Sequence, residues 1–348
     1  MQKSIRVLIV DDSGFMRLVI ADILKSDPDI DIIDTAQNGK EGFEKTKSLK
    51  PDVVMLDLTM ADYDGLFAVK AIMSECPTPI IILSALGNTD PDAVFKALEA
   101  GAYDYINKPQ SALSSKIREI SEKIINKVKL ASTIDLSRLG KKNTNSVTYN
   151  HTFDQNLPYE IMVIGASTGG TGALEEIFKK IPGNFPIPIV VAQHMPHEFV
   201  GSFVKRLNEI FQLNIIEAYD GAELKAGYVY FAPGNSNMII QRDTLSSKKR
   251  IVFTSKQFKE YNNPSIDCLM LSAAETYKNK TLAILCTGMG RDGAEGMLEI
   301  YKNGGRTIAQ DEQTSVVYGM PKAAAEIGAA MHILPIYEIG NFAVSCIA

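Results

Sequence analysis

With 348 residues, 45% of them hydrophobic and 22% charged, the chain holds material for two cores of roughly 120 to 200 residues each. A formal net charge of only −5 argues against a basic surface for nucleic acid or anionic membrane, and no apolar run approaches the ~18 residues of a spanning helix. Lys3 and Arg6 are followed by a four-residue apolar run that meets Asp11-Asp12 at once, so there is no signal-peptide core and a cytoplasmic protein, not inserted in a membrane, is expected. Cys76, Cys268, Cys286 and Cys346 form no C-x-x-C pair. They read as small, largely buried thiols without assigned function.

From the N-terminus, apolar runs at residues 5–10, 53–56 and 79–83 alternate with segments at 15–24 and 39–49 that carry helical spacing. That alternation predicts βα repeats and a parallel sheet with helices on both faces. A polar group follows each strand: Asp11-Asp12, then Asp57, then Ser84, and Lys108 after residues 103–106. The carboxyl ends of parallel strands line one crevice, so these groups converge. Three carboxylates there repel one another unless a cation lies between them, and hard oxygen ligands suit Mg²⁺.

Taken together, these residues resemble a response-regulator receiver over residues 4–125, a flavodoxin-like fold with a five-stranded parallel sheet. The resemblance implies that Asp57 accepts a phosphoryl group from a histidine kinase, that Asp11, Asp12 and Asp57 hold Mg²⁺, and that Lys108 pairs with the acyl phosphate. It also implies that Ser84 swings to the phosphoryl oxygens, that Tyr105 follows it inward, and that the Lys108-Pro109 bond is cis. One departure is the run Met60-Ala61-Asp62-Tyr63-Asp64-Gly65, where Ala61 stands in place of a proline. Asp64-Gly65 keeps the turn chemistry in a less stiff loop.

An apolar stripe at Leu113, Ile117, Ile120, Ile124 and Val128 continues as a helix, and residues 138–156 are polar and rich in Asn, Thr and Lys. The expected division is a first domain at 1–125, a tether at 126–157 that is flexible in its middle, and a second domain at 158–348. His151 falls in the tether and reads as a solvated surface histidine.

The second domain opens with a strand over 161–164, the turn Gly165-Ala166-Ser167-Thr168-Gly169-Gly170, and a helix carried by Leu174, Ile177, Phe178 and Ile181. The turn matches G-x-S-x-G, whose glycines permit a sharp bend that lifts the serine oxygen clear of the sheet. A dinucleotide fingerprint needs different glycine spacing, and a Walker loop needs a lysine that Gly170-Thr171-Gly172 lacks. A plain glycine-rich turn without chemistry is the remaining alternative from this stretch alone.

A strand over 187–192 ends in Gln193-His194-Met195-Pro196-His197, and another over 281–285 ends in Cys286-Thr287-Gly288-Met289-Gly290-Arg291-Asp292-Gly293. Ser167, His194 and Asp292 thus each follow a strand, which puts a nucleophile, a base and an orienting acid on one sheet edge. His332 lies within the apolar run 331–334 and reads as packed. His197 falls on a helix started by Pro196, and His194-x-x-His197 lacks a third metal ligand.

The segments GASTGG, QHMP and TGMGRDGA, with Pro321-Lys322-Ala323-Ala324, resemble the protein-glutamate methylesterases of bacterial chemotaxis, the CheB family, in which a receiver precedes a doubly wound α/β methylesterase domain. The resemblance implies a carboxylic ester hydrolase that acts on chemoreceptors, releases methanol from glutamyl methyl esters and deamidates particular glutamines. It implies Ser167 as nucleophile, His194 as general base and Asp292 as its orienter. Backbone N–H groups of Thr168 and Met289 are the expected oxyanion donors, and no cofactor is expected in this domain.

Two further departures are Asn235 and Asn237, in Ala232-Pro233-Gly234-Asn235-Ser236-Asn237 where the family often shows Ala-Pro-Gly-Gly-x-His, and Asn263, where it often shows arginine. Both are expected to touch substrate contacts at the cleft rim. Domain order implies control by occlusion, with the receiver inhibiting until Asp57 is phosphorylated. The rival readings are a triad hydrolase acting on another ester and a non-catalytic two-component binding module.

Overall fold

The computed structural model describes residues 4–61, 64–84, 90–108, 117–134, 136, 153, 157–243, 248–256 and 263–348. Pro109, His151, Asp62 and Tyr63 lie outside these, as does nearly all of the polar segment 138–156. The chain forms two compact units, residues 1–141 and 142–348.

In the first unit the order is β1 (Ile5–Val10), α1 (Gly14–Lys25), β2 (Ile30–Ala36), α2 (Gly39–Leu49), β3 (Val53–Asp57), α3 (Gly65–Glu75), β4 (Ile80–Ser84), α4 (Pro91–Glu99), β5 (Asp104–Asn107) and α5 (Ile117–Ala131). The five strands pair in parallel in the order β2-β1-β3-β4-β5. β3 and β4 are buried at every position, as expected of central strands covered on both faces. β2 is an edge strand whose sequence, Ile-Asp-Ile-Ile-Asp-Thr-Ala, mixes apolar and acidic residues and gives no clean apolar run. The side chains of Ser13, Asn38, Asp64 and Asp90 each accept from a backbone N–H of the helix that follows, which satisfies a donor that helix geometry leaves unpaired.

In the second unit the chain runs β6 (Ile161–Ala166), α6 (Gly170–Phe178), β7 (Ile189–Gln193), α7 (His197–Ile210), β8 (Asn214–Glu217), β9 (Tyr228–Phe231), β10 (Asn237–Arg242), β11 (Lys249–Thr254), α8 (Ile266–Tyr277), β12 (Thr281–Leu285), α9 (Ala294–Lys302), β13 (Arg306–Gln310), α10 (Met320–Glu326), β14 (His332–Leu334) and α11 (Ile336–Ser345). Seven strands form one parallel sheet in the order β14-β13-β12-β6-β7-β9-β8, and β10 and β11 make a separate antiparallel pair. From β6 the chain winds outward through β7, then returns to β12 on the other side of β6. That reversal is the topological switch point at which open α/β sheets place their sites.

One face of the sheet buries Val163, Ala283 and Leu285 against Ile266, Leu269, Met270 and Ala273 of α8. Phe231 of β9 meets Phe178 of α6 and Phe203 of α7 edge to face, with ring centroids 6.2 and 5.8 Å apart. Each such ring contributes on the order of 2 to 3 kcal/mol by burial. The strand ends that carry the site therefore rest on a tightly filled layer. No helix among the described residues is long and apolar enough to cross a membrane.

Candidate active site

β6 ends at Ala166, Ser167 follows, and Gly169 turns the chain with φ of 76° into α6. Both polar groups of the Ser167 backbone are engaged. Its N–H donates to the Thr287 carbonyl at 3.0 Å, and its carbonyl accepts from the Gly170 N–H at 2.7 Å and from Gln193 Nε2 at 3.0 Å. Opposite the serine, a Cβ at Gly288 would lie 2.6 Å from Ser167 Cβ. Only a residue without a side chain lets the loop after β12 approach so closely.

His194 follows β7, which pairs with β6, and its N–H donates to the Ala166 carbonyl at 3.0 Å. Its ring bridges the site. Nδ1 lies 3.1 Å from Ser167 Oγ and Nε2 lies 2.8 Å from Asp292 Oδ2. A carboxylate can only accept, so Nε2 carries the hydrogen toward Asp292, and Nδ1 keeps a lone pair for the serine hydroxyl.

Asp292 is 1% exposed and arrives on the loop between β12 and α9. Beyond His194 it accepts from the N–H of Ile266 at 2.8 Å, the N–H of Asp267 at 2.9 Å and Ser265 Oγ at 3.2 Å. These donors are the N-terminal end of α8, where the helix dipole also favours negative charge. Burial alone would raise the Asp292 pKa, but the hydrogen bond and charge of His194 and the two backbone donors outweigh it and hold the group below the usual carboxylate range. Beside it, burial pushes Asp267 up to about 6, despite the Gly296 N–H that it accepts at 2.7 Å.

A second polar cluster lies at the corresponding edge of the first unit. Lys108 Nζ is 2.8 Å from both Asp11 Oδ2 and Asp57 Oδ2. Asp57 also accepts from the Thr59 N–H at 3.2 Å. Oxygens of Asp11, Asp12 and Asp57 lie within 4.8 Å of one another, with Asp12 exposed and the other two buried. Burial raises the Asp57 pKa against the opposing pull of Lys108, and Asp11 adds to the rise. The Lys108 pKa is raised because its two carboxylate partners outweigh burial. The buried hydroxyl of Ser84 has no hydrogen-bond partner among the described residues, and Tyr105 is buried with the Lys127 ammonium 5.8 Å over its ring.

Residues 162–342 match the family model described as CheB methylesterase, and residues 7–118 match the response regulator receiver domain. The chain belongs to the CheB methylesterase family. It is 40% identical to a protein-glutamate methylesterase/protein-glutamine glutaminase of Desulfitobacterium hafniense, across 99% of this chain and 97% of the relative. A protein of the same description from Thermotoga maritima is 39% identical across 96% of each chain. The crystal structure of the Thermotoga maritima CheB methylesterase catalytic domain matches with a TM-score of 0.53 and 40% identity, covering 54% of this chain and 99% of that one.

The structure brings Ser167, His194 and Asp292 together and keeps His332 and His197 out of that hydrogen-bonded chain. His332 sits on β14 at the far edge of the sheet, its ring 4.6 Å from that of Phe342. His197 begins α7 with Nδ1 3.7 Å from Glu217. Cys268 and Cys286 are buried and Cys76 and Cys346 half-buried. One expectation needs correcting among the CheB departures. Asn235 and Asn263 are exposed, but Asn237 is 2% exposed and is not a rim residue. Its Oδ1 accepts from the Ser265 N–H at 2.6 Å and its Nδ2 donates to the Lys256 carbonyl at 2.8 Å, so it braces the turn that holds Asp292.

In the sequence Gln193 and Thr287 appear only as polar residues at strand ends. Thr287 Oγ1 donates to the Thr168 carbonyl at 2.9 Å and accepts from the Val317 N–H at 2.9 Å, and its own N–H donates to Gln310 Oε1 at 2.8 Å. Thus the loop carrying Met289, the turn carrying Thr168 and the segment before α10 are tied through one buried threonine. A polar residue at a strand end was the available signal, but its partners lie up to 119 residues away.

Proposed function

We propose that this protein is a phosphorylation-regulated protein-glutamate methylesterase of bacterial chemotaxis, with Ser167, His194 and Asp292 as its catalytic triad. The observation that carries this reading is the unbroken hydrogen-bonded chain from Ser167 Oγ through His194 to Asp292, at 3.1 and 2.8 Å. The substrate class rests on the names of the relatives, protein-glutamate methylesterase/protein-glutamine glutaminase.

In the proposed reaction Ser167 Oγ attacks the carbonyl carbon of a glutamyl methyl ester on a chemoreceptor while its proton passes to His194 Nδ1. The tetrahedral intermediate carries an oxyanion, for which the N–H groups of Thr168 and Met289 are the proposed donors, each worth about 10²–10³ in rate. Return of the proton from His194 to the departing methoxide releases methanol and leaves a glutamyl-serine ester. Water, deprotonated by the same ring, then restores Ser167 and leaves a free glutamate. With a glutamine side chain the leaving group is ammonia. Asp292 keeps the ring in one tautomer and stabilises the imidazolium.

In the first unit, Asp57 is the proposed phosphoryl acceptor from a histidine kinase. Asp11, Asp12 and Asp57 offer hard oxygens close enough to share one ion, and their chemistry fits Mg²⁺, which would neutralise charge on the transferring phosphoryl group. Lys108 is placed to pair with the phosphoryl oxygens, and the unpartnered Ser84 hydroxyl supports its role in the switch with Tyr105. The proposed division is a receiver over 1–125, a tether over 126–157 and a catalytic domain over 158–348, acting in the cytoplasm, with the receiver restraining the catalytic domain until phosphorylated.

Methanol release from methyl-labelled chemoreceptor membranes tests this reading. The intact chain releases methanol, Ser167→Ala does not, and a small phosphodonor with Mg²⁺ accelerates release only when Asp57 is present. Absence of methanol from the intact chain with donor would overturn the substrate assignment.

A further inference from the structure

The end of β7 carries a residue that the reaction above does not use. Gln193 is 5% exposed, and its Nε2 donates to two carbonyls at once, that of Ser167 at 3.0 Å and that of His194 at 3.1 Å. These belong to the proposed nucleophile and the proposed base, which lie 27 positions apart in the chain. A buried amide spanning both is a mechanical tie between them.

Its consequence follows from peptide geometry. The peptide between Ser167 and Thr168 is planar and trans, so its carbonyl and the Thr168 N–H point in opposite directions. Fixing the Ser167 carbonyl on Gln193 Nε2 and on the Gly170 N–H therefore also fixes the direction of the Thr168 N–H. Likewise, holding the His194 carbonyl limits rotation of the backbone from which the imidazole projects. The neighbouring glycine agrees with this arrangement: a Cβ at Gly170 would stand 2.1 Å from Gln193 Oε1. The glutamine thus occupies the space that the glycine leaves open. Its Oε1 is buried and has no hydrogen-bond partner among the described residues, an arrangement that costs free energy. A glutamine kept there despite that cost is retained for its donor side.

We propose that Gln193 is a positioning residue for ester hydrolysis. It clamps the Ser167 and His194 carbonyls so that the serine oxygen, the imidazole and the Thr168 N–H are held in register before substrate arrives. The proposal rests on the reading of Ser167 as nucleophile. A group so positioned acts on the chemical step and leaves substrate binding untouched.

The test uses the full chain with two substitutions, Gln193→Met, which keeps length without polarity, and Gln193→Glu, which keeps shape but, when ionised, turns acceptors toward both carbonyls. A fluorophosphonate probe that labels activated serines counts working sites and gives a rate of Ser167 modification. Methyl-ester hydrolysis per labelled site gives kcat and KM, and the melting temperature reports folding. Both variants are expected to lose about 10- to 100-fold in probe reaction rate and in kcat per site, with KM within twofold of the parent, and with Gln193→Glu at least as impaired as Gln193→Met. A purely structural role would lower the melting temperature and the number of labelled sites but leave the rate per site unchanged. That result, or a rate per site within twofold of the parent in both variants, would overturn the inference. Failure of the parent chain itself to be labelled, with Ser167→Ala as control, would instead overturn the nucleophile reading and the inference with it.

Discussion

Asp57 and Asp292 occupy equivalent places in two different sheets. Asp57 ends β3 and Asp292 lies on the loop that follows β12, each on the carboxyl edge of its sheet beside a switch point, and each is almost fully buried, at 2% and 1% exposure. Their environments drive them in opposite directions. Asp292 is surrounded by four donors, His194, Ile266, Asp267 and Ser265, and its pKa falls. Asp57 has one backbone donor and Lys108, which it shares with Asp11, and its pKa rises. A carboxylate saturated with donors is a fixed charge, suited to orienting a ring. One with fewer donors and a second carboxylate nearby keeps lone pairs available to a cation or an electrophile. The number of donors, more than depth of burial, separates the two roles.

The comparison can be broken most sharply at the second site. Ser167→Ala is expected to lower ester hydrolysis by about 10⁶-fold, measured as methanol release, and a fall of less than tenfold would remove the triad from the reaction. Asp292→Asn keeps the shape but presents an amide to His194 Nε2, which favours the wrong tautomer. A loss of about 10⁴-fold is expected. If Asp292→Asn retains most activity, the donor-rich environment has no catalytic meaning.

At the first site the expected effect is on regulation alone. Asp57→Asn should leave the unstimulated rate within twofold and abolish acceleration by a phosphodonor, and removal of divalent cation with EDTA should do the same to the parent chain. Stimulation that survives Asp57→Asn would displace the acceptor role from this residue.

The smallest effect concerns Asp267, next to Asp292, whose pKa is raised to about 6 from 3.8. The folded chain therefore holds a proton that the unfolded chain has released between those values. The stability tied to that proton is complete below about pH 3.8 and is lost as pH rises through 6. Asp267→Asn cannot ionise and keeps an oxygen for the Gly296 N–H, so relative to the parent it should gain on the order of 1 to 3 kcal/mol between pH 4 and pH 7. Calorimetric melting of parent and variant at both pH values measures this, and a difference that does not change with pH would contradict it.

Much of the architecture was legible in the chain itself. Central strands buried on both faces must be continuous apolar runs, which is why β1, β3, β4, β6, β7 and β12 stand out. Polar groups on the carboxyl edge of such a sheet follow its strands directly, which is why Asp57, Ser167 and His194 stood out as candidates. Edge strand β2 mixes acidic with apolar residues, and the β10–β11 pair lies outside the main sheet, so neither declared itself by the same rule. What the tertiary structure decided was which distant backbone groups the polar side chains would meet. Asn237 became a brace for Ser265 instead of a rim residue because β10 begins beside the turn into α8. Gln193 became a clamp because β6 and β7 pair in register. Such contacts depend on strand order and register, and those are fixed only when the whole sheet closes over its core.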